Sequence, residues 1–365
     1  MNNIKEFFAS KTDNIYFLEL KDKSVYGFPL PILKSDFMDE LKYETFTEEI
    51  DVSYFIRGMA YICALDKDFI YRDDYVNFML GNIENTESYL MAMAFEEIEI
   101  NYENAMIFFK FIYENFPQSS SSFAYASALK DYFDNTLEEM FLEESKRVLN
   151  ENIKNYPDFP YNYFLFGTIE MIEQNPMKAE IYLRKALELS KDSPFESELR
   201  EKIAPLLHEV VTDSKIEEAF YALQRGSYNE VIEILEDVNT FNYKKEQYLA
   251  MAYYNRGDVE KALELFEKTH KEHEDLKDAN FFIDYSFVLG QAGLVLEALG
   301  LINMALQNIG DNAPLQFNRA IIYLNIGEIE KAKEDLESVV SFYDISEELF
   351  NNAMILLEKI KDLIE

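Results

Sequence analysis

Asn312-Ala-Pro-Leu-Gln-Phe-Asn-Arg-Ala-Ile-Ile-Tyr-Leu-Asn-Ile-Gly-Glu-Ile-Glu-Lys-Ala-Lys-Glu-Asp-Leu-Glu-Ser-Val-Val340 holds two helical patterns, one on each side of Gly327. Small Ala320 and large Tyr323 lie three apart, on one face of the first pattern. Ala332, Leu336 and Val339 lie four and three apart, on one face of the second. A glycine between the patterns supports a tight reversal of the chain. The unit is therefore a helical hairpin. Small residues sit where the two helices cross closely, and large ones fill the neighbouring gap.

The same spacing recurs upstream. Ser286, Leu289, Gly293, Ala298, Ile302 and Ala305 repeat it 34 residues earlier. Ala250, Tyr253, Gly257, Ala262 and Phe266 repeat it again, and Ala219, Ala222, Gly226, Val231 and Leu235 give a fourth copy. Further back stand Gly167, Glu170, Ala179, Leu183 and Ala186. More degenerate copies centre on Ser145 with Leu149 and Pro157, and on Ala105 with Phe109, Ile112 and Pro117. With second-helix anchors at 105, 145, 179, 231, 262, 298 and 332, the intervals are 40, 34, 52, 31, 36 and 34. The one long interval has room for an extra helix, supplied by Phe195 to Val211, which Pro205 is expected to kink or shorten.

This pattern resembles the tetratricopeptide repeat family, whose unit is a helix-turn-helix of about 34 residues. The best-matching phrases are Ala252-Tyr-Tyr-Asn-Arg-Gly-Asp-Val-Glu-Lys-Ala-Leu-Glu-Leu-Phe and Ala320-Ile-Ile-Tyr-Leu-Asn-Ile-Gly-Glu-Ile-Glu-Lys-Ala. The resemblance is clear over 214–340, good over 158–192 and degenerate over 51–157. It departs from the family in having no Trp; Tyr163 and Phe282 stand where a first-helix tryptophan is expected. The resemblance implies a mainly α fold, an α-solenoid in which helical hairpins form a right-handed superhelix. The expected organisation is a non-repeat N-terminal cap (1–45), degenerate repeats (46–192), an extra helix or connector (193–213), clear repeats (214–340) and a C-terminal capping helix (345–365).

The ends differ from the repeats. Ile15 to Leu20 is mostly apolar and β-prone; a polar turn, Lys21-Asp-Lys-Ser, and Val25-Tyr-Gly-Phe-Pro-Leu follow. These read as two short strands of a hairpin, the second held to a sheet edge by Pro29 and Pro31. Asp36 to Tyr43 reads as a short helix. Ser346 to Ile364 is amphipathic, with Ser346 as N-cap and Leu349, Phe350, Ala353, Leu356, Leu357 and Ile360 placed to close the last repeat. Terminal repeats need a polar outer side, which a capping helix supplies.

Composition narrows the function. Of 365 residues, 34 are Lys or Arg and 69 are Asp or Glu, a net charge of −35. Such a chain repels phosphate backbones and anionic membrane surfaces, so direct nucleic-acid or membrane binding is not expected. The first residues lack the apolar run and cleavage site of a signal peptide. No stretch reaches ~18 uncharged apolar residues, so no membrane span is expected. The expected location is cytoplasmic. One cysteine excludes an intramolecular disulfide framework and a thiolate-rich zinc site.

Little in the sequence carries catalysis, and the expectation is no enzyme, no cofactor and no metal. Glu267, His270 and His273 have helical ligand spacing, but no second such motif exists to complete a two-metal bundle, since Pro205 stands three before His208. Cys63, in Tyr61-Ile-Cys-Ala-Leu, reads as a buried inert thiol rather than a nucleophile. Carboxylate pairs such as Glu138-Glu139 and Glu143-Glu144 imitate paired catalytic acids, but 69 acidic residues generate such pairs by chance.

The first helices say more. In the resembled family they line the concave side. Positions 15, 11, 8 and 7 before each anchor share one helical face. They are Ile216, Phe220, Leu223 and Gln224; Gln247, Met251, Tyr254 and Asn255; Ile283, Phe287, Gly290 and Gln291; Phe317, Ile321, Leu324 and Asn325. The last member is an amide in every set. Primary amides both donate and accept towards a peptide backbone. Phe220, Met251, Tyr254, Phe287 and Phe317 add an adaptable apolar stripe. Against this stand a merely solvated helix end, or a face filled by the protein's own chain. The expected function is a non-enzymatic scaffold that binds a peptide or protein segment on this face, an apolar or basic one rather than an acidic one. A basic clamp for a carboxylate terminus is missing, since only Lys244 lies near the face. The alternative is an acidic decoy that occupies a basic surface of a target protein. A third reading, an enzyme site in 1–45, rests only on that segment being non-repetitive and finds no acid, base or nucleophile cluster there.

Overall fold

In the computed structural model, residues 3–19, 27–42, 51–240 and 242–364 are described. They form two compact units, Met1–Leu207 and His208–Glu365. The first unit opens with α1 (Ile4–Ser10), β1 (Ile15–Leu18), β2 (Leu30–Leu33) and α2 (Lys34–Lys42). A helix pair follows, α3 (Val52–Leu65) and α4 (Arg72–Asn82). Three hairpins come next: α5 (Thr86–Ile98) with α6 (Tyr102–Asn115), α7 (Ser119–Thr136) with α8 (Glu139–Asn155), and α9 (Pro160–Ile172) with α10 (Pro176–Ser190). Helix α11 (Glu196–Gln224) starts in the first unit and ends in the second. The second unit continues with α12 (Tyr228–Leu235), α13 (Tyr243–Asn255), α14 (Val259–Glu272), α15 (Ala279–Gln291), α16 (Val295–Ile309), α17 (Ala313–Asn325), α18 (Ile329–Ser341) and α19 (Glu347–Ile364).

The anchor residues explain why these helices pair. Ala105, Ser145, Ala179, Val231, Ala262, Ala298 and Ala332 all fall on the second helix of a pair, and none has exposed surface (0%). Twelve residues before the last five anchors, Gly167, Ala219, Ala250, Ser286 and Ala320 are buried on the first helix. Small side chains at both positions let the two backbones approach. At Gly167 the approach is close enough that a Cβ would lie 2.6 Å from Leu183 Cδ2. Ser145 is small and polar, and its Oγ donates to the Ala126 carbonyl at 2.7 Å.

The turns repeat as faithfully as the crossings. Gly226, Gly257, Gly293 and Gly327 all have positive φ, between 74° and 91°. After each, the next amide donates back across the turn: Ser227 to Ala222 O, Asp258 to Tyr253 O, Leu294 to Leu289 O and Glu328 to Tyr323 O, each at 2.9 Å. This bond pattern ends a helix by satisfying its last carbonyls, and a left-handed residue is what permits it. Gln174 takes the same conformation (φ 59°) between α9 and α10 without being glycine.

Helix α11 runs through Pro205, so the proline does not end it. The extra helix expected at Phe195 to Val211 is thus continuous with the first helix of the next repeat. Pro205 removes one backbone donor and crowds the carbonyl four residues before it, yet the helix continues on both sides.

The N-terminal strands pair antiparallel, Ile15 with Leu33 and Leu18 with Leu30. The second strand lies later than Val25 to Leu30, at Leu30–Leu33, and includes Pro31. The expected turn at 21–24 and the residues at 25 and 26 lie outside the described residues. All four β2 residues are buried, because α3 crosses them at Gly58. A Cβ there would lie 2.2 Å from the Pro31 carbonyl oxygen. Tyr75 fastens the approach to β2 by donating to the Pro29 carbonyl at 2.6 Å. A buried cluster joins α2, α3, α5 and α6: Arg57 reaches Asp36 at 2.8 Å and Glu97 at 2.7 Å, and Asn104 donates to Glu97 at 2.9 Å.

In the second unit Arg319 of α17 grips Asp335 of α18 through two bonds, 2.8 and 2.7 Å, and donates to Asn303 of α16 at 2.9 Å. Helix α19 packs on α18, with Ala353 and Ile360 buried and Leu349 N donating to the expected Ser346 Oγ cap at 3.2 Å. Phe350, expected to close the repeat, remains 40% exposed.

Two glycines give a paired test. Gly58→Ala should lower stability by about 1–3 kcal/mol, since backbone must move to admit the methyl. Gly81→Ala, in α4 with nothing within 4 Å of the new carbon, should raise it by about 0.5–1 kcal/mol. Urea midpoints of the two variants, which move in opposite directions, check this.

Candidate partner-binding face

The end of α11 and the helices α13, α15 and α17 are the first helices of four successive pairs in the second unit. Neighbours among them touch directly. Phe220 packs on Tyr248 with ring centroids 5.6 Å apart, and Tyr254 meets Phe287 edge-to-face at 5.4 Å. Tyr243 donates to Asp278 at 2.7 Å, and Gln247 Nε2 donates to Asp284 Oδ2 at 2.7 Å. Helices α15 and α17 also pack together.

Gln224, Asn255, Gln291 and Asn325 are each the last residue of their helix, and all four are exposed. The shared turn geometry puts them there, two residues before a left-handed glycine. Asn255 spends one donor on the Met251 carbonyl of its own helix, at 2.8 Å. Phe220, Met251, Tyr254 and Phe317 are half-buried, and Phe287 is 44% exposed. Ile283, Ile321, Leu223 and Leu324 are half-buried as well. Ile216 and Gln247 go deeper, to 5% and 4% exposed. The Gln247 amide is therefore held between helices, against Asp284.

Asp284 was not marked by any spacing in the sequence, because its partner lies 37 residues away in the preceding repeat. Burial pushes its carboxyl up to about 6, against the hydrogen bond from Gln247, and nearby Asp278 adds to the rise. Lys244, exposed, lies at the start of α13.

The other candidate chemistry is dispersed. The His270 ring packs against Phe282 and Tyr285, at 5.8 and 6.4 Å, and burial lowers its pKa. His273 ends α14 against Tyr243, and Glu267 pairs with Lys271. Among the described residues no group of three His, Cys, Asp or Glu is placed to hold a metal ion. Cys63 is fully buried and its thiol is pushed up to about 12 by burial, which keeps it protonated and unreactive at neutral pH. Glu143 and Glu144 pair with Lys146 and Arg147 one turn on. No described helix is long and apolar enough to cross a membrane.

Asp284 predicts a pH effect. Its folded pKa is raised above the unfolded ~3.9, so the folded state holds this proton more tightly. The resulting stability is fully present below ~pH 4 and is lost as pH rises through about 6. Asp284→Asn should therefore exceed the wild type at pH 7.5 by about 2–3 kcal/mol, and the gap should close by pH 4. Thermal melts across that range measure it.

Two stretches match models of the tetratricopeptide repeat, residues 247–275 and residues 313–344. They take in most of α13–α14 and α17–α18. No curated protein gives a significant match. Solved structures similar to the chain include the tetratricopeptide-repeat protein YrrB, with 16% identity, 56% of this chain and 97% of that one covered, and a TM-score of 0.35. The Thermus thermophilus repeat protein TTC0263 has 14% identity, 54% and 99% coverage and a TM-score of 0.37. The Cut9–Hcn1 assembly has 13% identity, 90% and 66% coverage and a TM-score of 0.41. With the family's models matching two of the hairpins that share one crossing and one turn, residues 247–275 and 313–344 are tetratricopeptide repeats.

Proposed function

We propose that the second unit is a scaffold that binds a segment of another protein on the face formed by the end of α11 and by α13, α15 and α17. Proteins of this repeat class act in general as protein–protein interaction scaffolds. One observation carries the reading for this chain: four exposed primary amides occupy the same helix-terminal place in successive repeats. Beside them runs the stripe of Phe220, Met251, Tyr254, Phe287 and Phe317. Amides of this kind satisfy the backbone of a docked segment, and the stripe receives its apolar side chains. Gln247 acts here indirectly, by holding Asp284.

A basic or apolar segment fits better than an acidic one. Asp278 and Asp284 lie along the same helices, and the chain carries a net charge of −35. Above about pH 6 Asp284 adds a further negative charge. An acidic segment would approach against that field.

The test is a variant with Gln224, Asn255, Gln291 and Asn325 all changed to Ala. Its melting temperature should stay close to that of the wild type, since all four side chains are exposed. Its affinity for a partner identified by capture with the wild type should fall at least tenfold in calorimetry. Undiminished affinity would remove these amides from the site. A salt series separates the acidic-decoy alternative: docking on this face should weaken little between 0.1 and ~0.5 M NaCl, whereas charge mimicry should weaken steeply.

A further inference from the structure

A second candidate site lies in the first unit. Helices α6, α7 and α8, with the α3–α4 connection and α1, enclose a cleft of about 760 Å³. It continues into a neighbouring hollow of about 480 Å³, with which it shares Lys67, Tyr113, Glu114 and Glu151. That size is ordinary for a small-molecule site.

Its charge runs against the rest of the chain. The lining of the two hollows carries five cationic side chains and three carboxylates, whereas the whole chain carries 34 against 69. Arg147 is matched by two of those carboxylates, Glu144 at 2.7 Å and Glu151 at 3.2 Å. The third, Glu114, serves three cations at once: Lys110 at 2.7 Å, Lys67 at 3.2 Å and Arg72 at 3.9 Å. One negative charge among three positive ones leaves an excess, least screened at Lys110. The Lys110 side chain is only 12% exposed.

The same cleft holds polar atoms without partners. Tyr125 is 1% exposed, lines the cleft, and its hydroxyl makes no hydrogen bond. Arg72 Nε is likewise buried without a hydrogen bond, and Glu114 Oε2 has only its 3.9 Å ion-pair contact with Arg72. Leaving a buried hydroxyl unpaired is destabilising, so such groups call for an explanation. The Tyr125 ring is fixed by stacking on Tyr113 at 5.3 Å, so the hydroxyl does not swing to another partner. Apolar surface adjoins the cations: Ile4, Phe8 and Leu65 line the cleft, and the Lys110 ammonium sits 5.1 Å from the Phe8 ring centre.

We propose that this cleft binds a small organic anion, its carboxylate or phosphate head among Lys67, Arg72 and Lys110 with Tyr125 as a donor, and its apolar body against Ile4, Phe8 and Leu65. The head supplies the missing charge and an acceptor for the unpaired donors. No covalent step is involved. The site is independent of the partner-binding face, and either stands without the other.

The experiment is calorimetric titration of the full chain with octanoate, octyl phosphate and, as a charge-reversed control, octylammonium. Saturable binding is expected for at least one anion and not for octylammonium. The preferred head identifies whether the ligand is a carboxylate or a phosphate. Tyr125→Phe should keep or raise the melting temperature, because it removes an unpaired buried hydroxyl, yet weaken the anion about tenfold or more. Lys67→Met should also weaken it severalfold; this side chain is 70% exposed, so folding is not at stake. No saturable binding of either anion, equal binding of octylammonium, or affinities unmoved by both variants would overturn the proposal.

Discussion

The close crossing of paired helices is the constraint on which the remaining structure depends. An alanine, serine or valine at seven second-helix positions, fully buried each time, sets how near the two backbones come. Where the five later crossings are matched by small residues on the first helix, each pair is followed or preceded by the same geometry. The turn then follows from the crossing. Two helices this close need a reversal of only a few residues, which the left-handed residue at 174, 226, 257, 293 or 327 provides. Large side chains such as Phe266 and Leu336 fill what the small ones leave.

That constraint also generates the candidate site. The turn fixes where each first helix ends, and the last residue before it is forced outward. Four successive repeats place Gln or Asn at that point, so the amides take the same helix-terminal place in each repeat. The interior of the face is organised differently, by contacts between repeats: Tyr254 with Phe287, Tyr243 with Asp278 and Gln247 with Asp284. These give the face a half-buried carboxyl whose pKa burial pushes up to about 6.

The crossings and the turns were readable in the sequence because both are local. Ala320 and Ala332 are twelve residues apart, and a period of this kind survives without any knowledge of packing. The N-terminal pairing was readable as two strands but not in its register, which depends on α3 pressing β2 through Gly58, 26 residues after Ile32. Pro205, expected to kink or shorten its helix, does not shorten it: α11 continues past it to Gln224. Asp284 and the Tyr125 cleft were invisible for one shared reason. Each is assembled from residues on different hairpins, and no spacing along one helix reveals a group whose surroundings come from a neighbouring one.

The central claim, that small buried anchors set the hairpin packing, is tested most directly at Ala298, which is fully buried where α16 crosses α15. Equilibrium urea unfolding of Ala298→Leu, followed by circular dichroism, is the measurement. The account expects helix content to persist while stability falls by about 1–3 kcal/mol or more, because the two helices must separate to admit the larger side chain. Stability within ~0.5 kcal/mol of the wild type would contradict it, since a crossing that accepts leucine freely is not held by its small residues.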